Sequence, residues 1–535
     1  MTGEQRRFRV LVTDEINPDG LDLLHQTPEI EVIEKPTRPL AEVIQEIASY
    51  DAMIGRSATR VSAELLEAGT NLKVIGRAGV GVDNVDLDKA TELGIAVINA
   101  PGGNTVAVAE LVFGVVISYL RHIHVAVSEM REGGWPRSKL GGTELRSRNL
   151  VIIGLGRIGG EVARRARAFG LRIGAYDPYV SANRFEELHV ERYETLDEAL
   201  QAADIVTLHV PLTNETSGMI GRRELGLLKA SSMVLNYARG GIIDDDALLD
   251  ALRNGSVGAA ALDVFASEPL AKDHPFRQLP NVMLTPHLGA STVEAQRNVA
   301  LEACAAVRDA LLTGDLSAAL NAVGVGGPEL GEMRPLLQLA EKLGRLGQAL
   351  LPSGLSGLEL RYTGSRAEAA RPLLLAALQG AMENVVDQRV NLVNAQHVAD
   401  SRGIETAWTQ VKPKKQGGEE IEILIDAGGR ALRVGGTIIG DGYGLITRIG
   451  AYRVDVAPRG TLIVLRNRDV PGVIGRVGTI IGAAEVNIAE YHQARLQAGG
   501  EALAAIQVDS SVTTELLEQL CALPEVLDAR QVRME

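Results

Sequence analysis

Short apolar runs alternate with amphipathic segments over the first hundred residues. FRVLVT from Phe8, DAMIG from Asp51, LKVIG from Leu72 and IAVIN from Ile95 read as strands, and segments 40–49 and 62–68 between them carry apolar residues at helical spacing. This alternation predicts βαβ units and a parallel sheet. Residues 105–130 predict one long helix, with Thr105 as its N-cap after Pro101-Gly102-Gly103. A second alternating set runs over 149–287. Residues 291–312 return to helical periodicity and would pack back on the first set, making two lobes with a cleft between them.

After Asn321 the pattern changes. VGVGGPELG reads as a linker. A helical stretch, MRPLLQLAEKLGRLGQALL, is followed by the strands EEIEILIDAGG and GLITRIGAYRVDVAP, with KPKKQGGEE as an exposed hairpin tip. From Thr461 the order is strand, helix, strand, strand, helix, strand, a ferredoxin-like βαββαβ pattern.

Composition narrows the function classes. A chain of 535 residues is too long for one core. Its 58 Gly against 6 Phe and 2 Trp suit a turn-rich α/β protein. A net charge of −14 argues against a nucleic-acid partner, which needs a basic face. Cys304 and Cys521 are far apart with no CxxC spacing, so neither a disulfide framework nor a metal site is expected. The start MTGEQRRFRVLVTDE has no apolar signal region, and no apolar run approaches the ~18 residues of a membrane span. The expectation is a cytoplasmic protein without a membrane partner.

The chemistry concentrates in the second set. Gly154-x-Gly156-x-x-Gly159 follows the strand NLVII and opens a helix. Glycines there permit a tight turn and close approach to a pyrophosphate, which the helix N-terminus stabilises. The next strand, LRIGAY, leads to Asp177 at the distance where an acid meets the adenosine ribose. A carboxylate there accepts from the ribose hydroxyls and repels a 2′-phosphate, which favours NAD over NADP. Val210 with Pro211, and Tyr237 with Ala238, follow later strands and would flank the cofactor.

Three polar residues also sit just past strand-like runs: Arg239 after SSMVLN, Glu268 after AALDVF and His287 after NVMLT. Ligands of an open parallel sheet bind outside the carboxyl ends of its strands. A His there can take a hydroxyl proton near neutral pH. Glu268 would hydrogen-bond the imidazole, fix its tautomer and stabilise its protonated form. Arg239 would hold a carboxylate bidentately.

GLGRIG, NYARGGIIDDDAL, ALDVFASEP and TPHLGAST resemble the motifs of the D-isomer-specific 2-hydroxyacid dehydrogenases. The resemblance implies that Arg239, Glu268 and His287 are the catalytic set. It also implies that Gly154, Gly156, Arg157, Ile158, Gly159, Asp177, Val210, Tyr237, Ala238, Arg239, Asp263, His287 and Gly289 surround NAD. GRSATRV, VIGRAGVGVDNVDLDKA and NAPGGNTVAVAEL resemble the members that oxidise D-3-phosphoglycerate. On that likeness Arg56 and Ser57 would meet the substrate phosphate, the loop of Arg77, Gly79, Val80 and Gly81 would offer backbone N–H groups to its carboxylate, and Asn104 would also contact the substrate. A doubly charged phosphate needs Arg-type partners. Asp245 departs from the Glu that the family commonly has after RGGxVD.

The last segment resembles an ACT domain, which implies L-serine as an effector bound between two such domains by Asn467, Asp469 and Asn487. Arg448, Arg453 and Arg459 of the preceding segment are open to an anion-binding role or to a solvated basic face. The long helix with residues 133–142, including Trp135, resembles a dimer contact, and a homo-oligomer, a tetramer, is implied. The expected fold class is α/β. It comprises a flavodoxin-like substrate domain (1–99 and 288–318) and a Rossmann domain (100–287), both doubly wound parallel sheets, an α+β intervening domain (319–458) and a ferredoxin-like ACT domain (459–535). An alternative, a non-catalytic NAD-responsive binding protein, would not require all of Arg239, Glu268 and His287.

Overall fold

Val10 and Val12 are buried in one apolar cluster and Leu11, between them, in another. Burial on both faces is what a parallel sheet covered by helices requires. In the computed structural model, which describes residues 6–322, 330–351, 354–366, 369–383, 385–386, 388–413, 418–440 and 442–534, these residues lie in a five-stranded parallel sheet. Its order is Ile30–Glu34, Phe8–Val12, Ala52–Gly55, Val74–Arg77, Ala96–Ile98. The strand Ile30–Glu34 was hidden in the sequence because it is an edge strand, largely solvated, and its run IEVIE carries acids.

The second sheet has seven parallel strands in the order Val282–Leu284, Ala259–Leu262, Met233–Asn236, Ile205–Leu208, Asn149–Ile153, Arg172–Tyr176, Glu191–Arg192. The order reverses between Asn149–Ile153 and Ile205–Leu208, which opens a crevice at their carboxyl ends. Helix Val293–Thr313, capped by the Thr292 side chain, packs on helix Pro18–His25. A β-carbon at Gly20 would lie 2.7 Å from the Ala300 carbonyl carbon, so the two backbones touch there.

Two expectations about the segment after Pro101 change. Residues 105–130 form two helices, Thr105–Leu120 and Ile123–Arg131, bent by 65°. The break falls at His122, whose φ of 51° is left-handed and cannot continue a right-handed helix. The N-cap position belongs to Asn104 rather than Thr105. Among the described residues no single helix is long and apolar enough to cross a membrane.

The third sheet is mixed, ordered Glu405–Val411, Leu355–Thr363, Glu420–Ala427, Arg430–Ile439, Tyr443–Ile449, Tyr452–Val456. Leu355–Thr363 separates Glu405–Val411 from Glu420–Ala427, so the two strands that flank KPKKQGGEE are not hairpin partners. Its residues 414–417, and 323–329 of the expected linker, lie outside the described residues. The parallel pair Leu355–Thr363 and Glu405–Val411 needs a crossover, and helices Ala370–Met382 and Ala395–Ser401 lie along it.

The fourth sheet is antiparallel, ordered Ile488–Arg495, Glu501–Val508, Thr461–Arg468, Val526–Arg533. Ile463 and Leu465 pack with Val473, Val477 and Leu520 of its two helices. Leu462 and Val464, on the other face, join the core of the third sheet.

Candidate active site

Three glycines shape the turn at the crevice, each for a different reason. Gly154 has a φ of 94°, and a β-carbon there would lie 2.6 Å from the His209 carbonyl oxygen. At Gly159 a β-carbon would lie 2.1 Å from the Gly154 carbonyl oxygen, so helix Arg157–Ala168 packs directly on the turn. A β-carbon at Gly156 would meet nothing within 4 Å. The protein itself does not need glycine there; the missing side chain leaves open space at the helix N-terminus, where unpaired N–H groups attract phosphate. The donor set fits a dinucleotide. Arg157 is exposed and Ile158 half-buried beside that space.

Asp177 sits at the end of Arg172–Tyr176. Its Oδ2 accepts from the Leu155 N–H at 2.8 Å and its Oδ1 from the Tyr179 N–H at 2.9 Å, which pins the carboxylate against the turn. Val210 lines the same turn across from Gly154. His209 was not anticipated. Its Nε2 faces the Thr207 hydroxyl at 3.0 Å, its Nδ1 is closed off from solvent, and burial pushes its pKa down to about 3.

Arg239, Glu268 and His287 follow three strands that are neighbours in the sheet. The His287 ring faces Glu268, Nδ1 to Oε2, at 2.7 Å, and Glu268 Oε1 accepts from the Phe265 N–H at 3.0 Å. Both side chains reach solvent. Asp263, 1% exposed, builds the loop beneath them. Its Oδ1 accepts from the Thr285 hydroxyl at 2.6 Å and the Leu288 N–H at 2.7 Å, and its Oδ2 from the Gly289 N–H at 2.9 Å. The His287 N–H donates to the Asp263 carbonyl at 2.9 Å, and His287 holds a φ of 56°. Asn236 shapes the neighbouring turn: it donates to the Arg239 carbonyl at 2.8 Å and accepts from the Ala238 N–H at 3.1 Å. Tyr237 and Ala238 are buried there.

Across the cleft, the loop after Val74–Arg77 is tied down by Asn99, which donates to the Val80 carbonyl, and by the Ala100 N–H, which donates to the Gly79 carbonyl at 2.9 Å. Arg77 folds over Gly79, where a β-carbon would fall 1.5 Å from its Nη1. Burial, then repulsion from Arg239 and Arg56, push Arg77 down to about 10, partly offset by Asp83 and Asp14. Its buried Nε lacks a protein partner among the described residues, as does Asn104 Oδ1. Three guanidinium groups crowded together favour an anion between them. Asp14 anchors the Arg56 loop: it accepts from the Arg56 N–H and the Thr59 hydroxyl, and Asn84 donates to the Arg56 carbonyl at 2.8 Å. Ser57 is exposed at the loop surface. Asp14, Asp83 and Asn99 were missed because a lone Asp or Asn beside a strand carries no distinctive spacing.

The three C-terminal candidates do not converge. Asn467 pairs with Ala502, which pairs with Arg495, whereas Thr461 pairs with Val508, which pairs with Ile488. Asn487 therefore lies at the opposite end of the sheet from Asn467 and Asp469, roughly 20 Å away at strand rise. Asp469 Oδ2 accepts from Arg495 at 3.0 Å, which lowers its pKa, and Asn487 donates to Asp509 at 2.6 Å. Asn467 is fully buried and donates to the Arg468 carbonyl at 2.8 Å. In the third sheet Arg448 faces Glu422 at 3.4 Å and stands opposite Arg453; Arg459 pairs with Glu490 at 3.3 Å.

Comparison with known proteins identifies the family. The family model for the NAD-binding domain of D-isomer specific 2-hydroxyacid dehydrogenases matches residues 113–289, and that for the D-3-phosphoglycerate dehydrogenase intervening domain matches 332–450. The chain is 37% identical to D-3-phosphoglycerate dehydrogenase of Methanocaldococcus jannaschii over 528 residues, 98% of this chain and all of the relative. It is 37% identical to the Bacillus subtilis protein of the same name, over 98% of this chain and 99% of that one. Among solved structures, a protein from Thermus thermophilus is 34% identical with a TM-score of 0.54, covering 58% of this chain and 100% of its own. A glyoxylate reductase from Paecilomyes thermophila is 30% identical with a TM-score of 0.54, covering 59% and 98%.

Proposed function

The chain belongs to the D-3-phosphoglycerate dehydrogenases, within the D-isomer-specific 2-hydroxyacid dehydrogenase family, and we propose from its geometry how its residues divide the work. It is an NAD-dependent oxidoreductase that converts D-3-phosphoglycerate to 3-phosphohydroxypyruvate, the first step of L-serine synthesis. A glyoxylate reductase reading fits less well, because the glyoxylate reductase structure above covers 59% of the chain while the D-3-phosphoglycerate dehydrogenases cover 98%.

The observation that carries the mechanism is the His287–Glu268 pair beside the Arg-lined cradle. A carboxylate can only accept, so Glu268 holds the hydrogen on Nδ1 and leaves the Nε2 lone pair free. His287 takes the substrate C2 hydroxyl proton at Nε2. NAD, when bound, supplies the two-electron oxidant that receives the C2 hydrogen with its electron pair. Arg239 and the N–H groups of Val80 and Gly81 hold the substrate carboxylate, with Arg77 and Asn104 behind them; the Gly79 N–H donates to the Arg77 carbonyl at 2.8 Å, so Gly79 shapes the loop and leaves room for the substrate. Arg56 and Ser57 bind the phosphate. Gly154, Gly156, Arg157, Ile158 and Gly159 cradle the pyrophosphate, and Asp177 the ribose. Val210, Tyr237, Ala238, Asp263 and Gly289 close the rest of the cofactor site, with Asp263 also fixing the His287 loop. His287→Ala is expected to lower kcat by about 10²–10⁴-fold with NADH affinity unchanged in a fluorescence titration. Equal loss of NADH binding would make His287 structural.

The domain division is 1–99 with 288–318, 100–287, 319–458 and 459–535. Helix Ile123–Arg131 buries none of its side chains and exposes Ile123, Val127 and Met130, which supports pairing of two copies along it; pairing of the C-terminal sheets as well would make a homotetramer, which this reading places in the cytoplasm. L-serine would bind between two C-terminal sheets, where Asp469 of one copy could meet Asn487 of another, with the buried Asn467 shaping the turn beneath Asp469. An L-serine titration of the D-3-phosphoglycerate and NAD assay tests this directly.

A further inference from the structure

Arg239 is held by the protein at two of its three nitrogens. Nε pairs with Asp83 Oδ2 at 3.0 Å, and Nη1 donates to the Ala238 carbonyl at 2.8 Å. The third, Nη2, lies over Gly81: a β-carbon there would stand 2.2 Å from Nη2 and 2.7 Å from Asp83 Oδ2. The two partners come from opposite sides of the cleft. Asp83 follows Val74–Arg77 of the first sheet and Arg239 follows Met233–Asn236 of the second.

Asp83 is 64% exposed and Arg239 26%. An ion pair this open to solvent contributes little to stability, so its effect lies in geometry. A guanidinium fork recognises a carboxylate only in the right plane, and clamping Nε and Nη1 fixes that plane. Asp83 also offsets part of the positive field at Arg77.

We propose that Asp83 is a positioning residue for the oxidation. It clamps Arg239 from the substrate side of the cleft and presents Nη2 above Gly81, so the fork is aimed only while the two lobes stand this close. This rests on Arg239 holding the substrate carboxylate.

The test is a double-mutant cycle on the full chain, with Asp83→Ala, Asp83→Asn, Arg239→Lys and the double variant Asp83→Ala/Arg239→Lys. Loss of a charged hydrogen-bond partner is worth about tenfold to a hundredfold. Asp83→Ala should lower kcat/KM for D-3-phosphoglycerate by that factor, and Asp83→Asn, which keeps an acceptor, by less. NADH affinity should be unchanged. A lysine has no Nε–Nη fork to aim, so in the Arg239→Lys background the same Asp83→Ala change should cost less than about threefold. Equal losses in both backgrounds, no loss in either, or weakened NADH binding would overturn the proposal. So would a lowered KM at unchanged kcat, which would make Asp83 a competitor of the substrate carboxylate. If Arg239→Lys alone retains full kcat/KM, the reading of Arg239 fails first and this inference falls with it.

Discussion

The catalytic crevice and the C-terminal sheet gather their polar residues by opposite geometry. Arg239, Glu268 and His287 each follow the end of a strand, and in a parallel sheet all strands end at one edge. Residues far apart in sequence therefore meet. Asp469 follows the end of Thr461–Arg468, whereas Asn487 precedes the start of Ile488–Arg495, which runs in the same direction. One follows and one precedes, so a single copy separates them. The crevice residues meet within one chain; the C-terminal candidates do not, and would meet only across two copies.

The largest effect that sharpens this contrast is at the nucleotide turn. Gly156→Val should leave the thermal midpoint unchanged, because its side chain enters open space. NADH affinity should fall roughly a hundredfold, about 2.7 kcal/mol. A lowered midpoint with intact NADH binding would show that the space serves the fold. Gly159→Ala should do the reverse first, since its β-carbon would strike the Gly154 carbonyl oxygen; overpacking of this kind costs about 1–3 kcal/mol and should appear in thermal unfolding.

A smaller effect concerns acid stability. His209, with its pKa near 3, is neutral when folded but takes a proton near 6.5 when unfolded. The unfolded chain binds more protons between those values, so stability is fully present above about 6.5 and is lost as pH falls toward 3. His209→Gln should flatten that acid branch in a pH series of thermal scans. An unchanged slope would mean that His209 is solvated in the folded protein.

The smallest effects fall in the C-terminal sheet. Asp469→Ala and Asn487→Ala should leave kcat without L-serine unchanged and each remove any L-serine response. Co-expressing the two variants should restore part of it, because one of the two sites in such a pair keeps both native residues. No restoration would argue for a site within one copy.

Much of the crevice was legible because its residues are tied to strand ends and to glycine spacing. The Gly154–Gly159 turn, Asp177 and the three sheet-end residues all stand just past a short continuous apolar run. What stayed hidden has no such marker. Asp263 is singled out by the family resemblance alone, and its part as the buried acceptor that holds Thr285, Leu288 and Gly289 has no sign in the apolar spacing. Asp83 is one acid among several in GVGVDNVDLDKA, and only the approach of two lobes makes it Arg239's partner. The left-handed His122 and the separation of Glu405–Val411 from Glu420–Ala427 by a third strand are likewise unmarked in the sequence. Side-chain period alone carries no trace of either.

The central claim, that the Arg-lined cradle selects a phosphorylated hydroxy acid for the His287–Glu268 pair, is tested most directly by one ratio. It is kcat/KM for D-3-phosphoglycerate over that for D-glycerate, measured with NAD in the native chain and in Arg56→Ala. The ratio should fall by at least about tenfold in the variant, the worth of one charged hydrogen bond, with D-glycerate turnover nearly unchanged. An equal loss for both substrates, or an unchanged ratio, would contradict it.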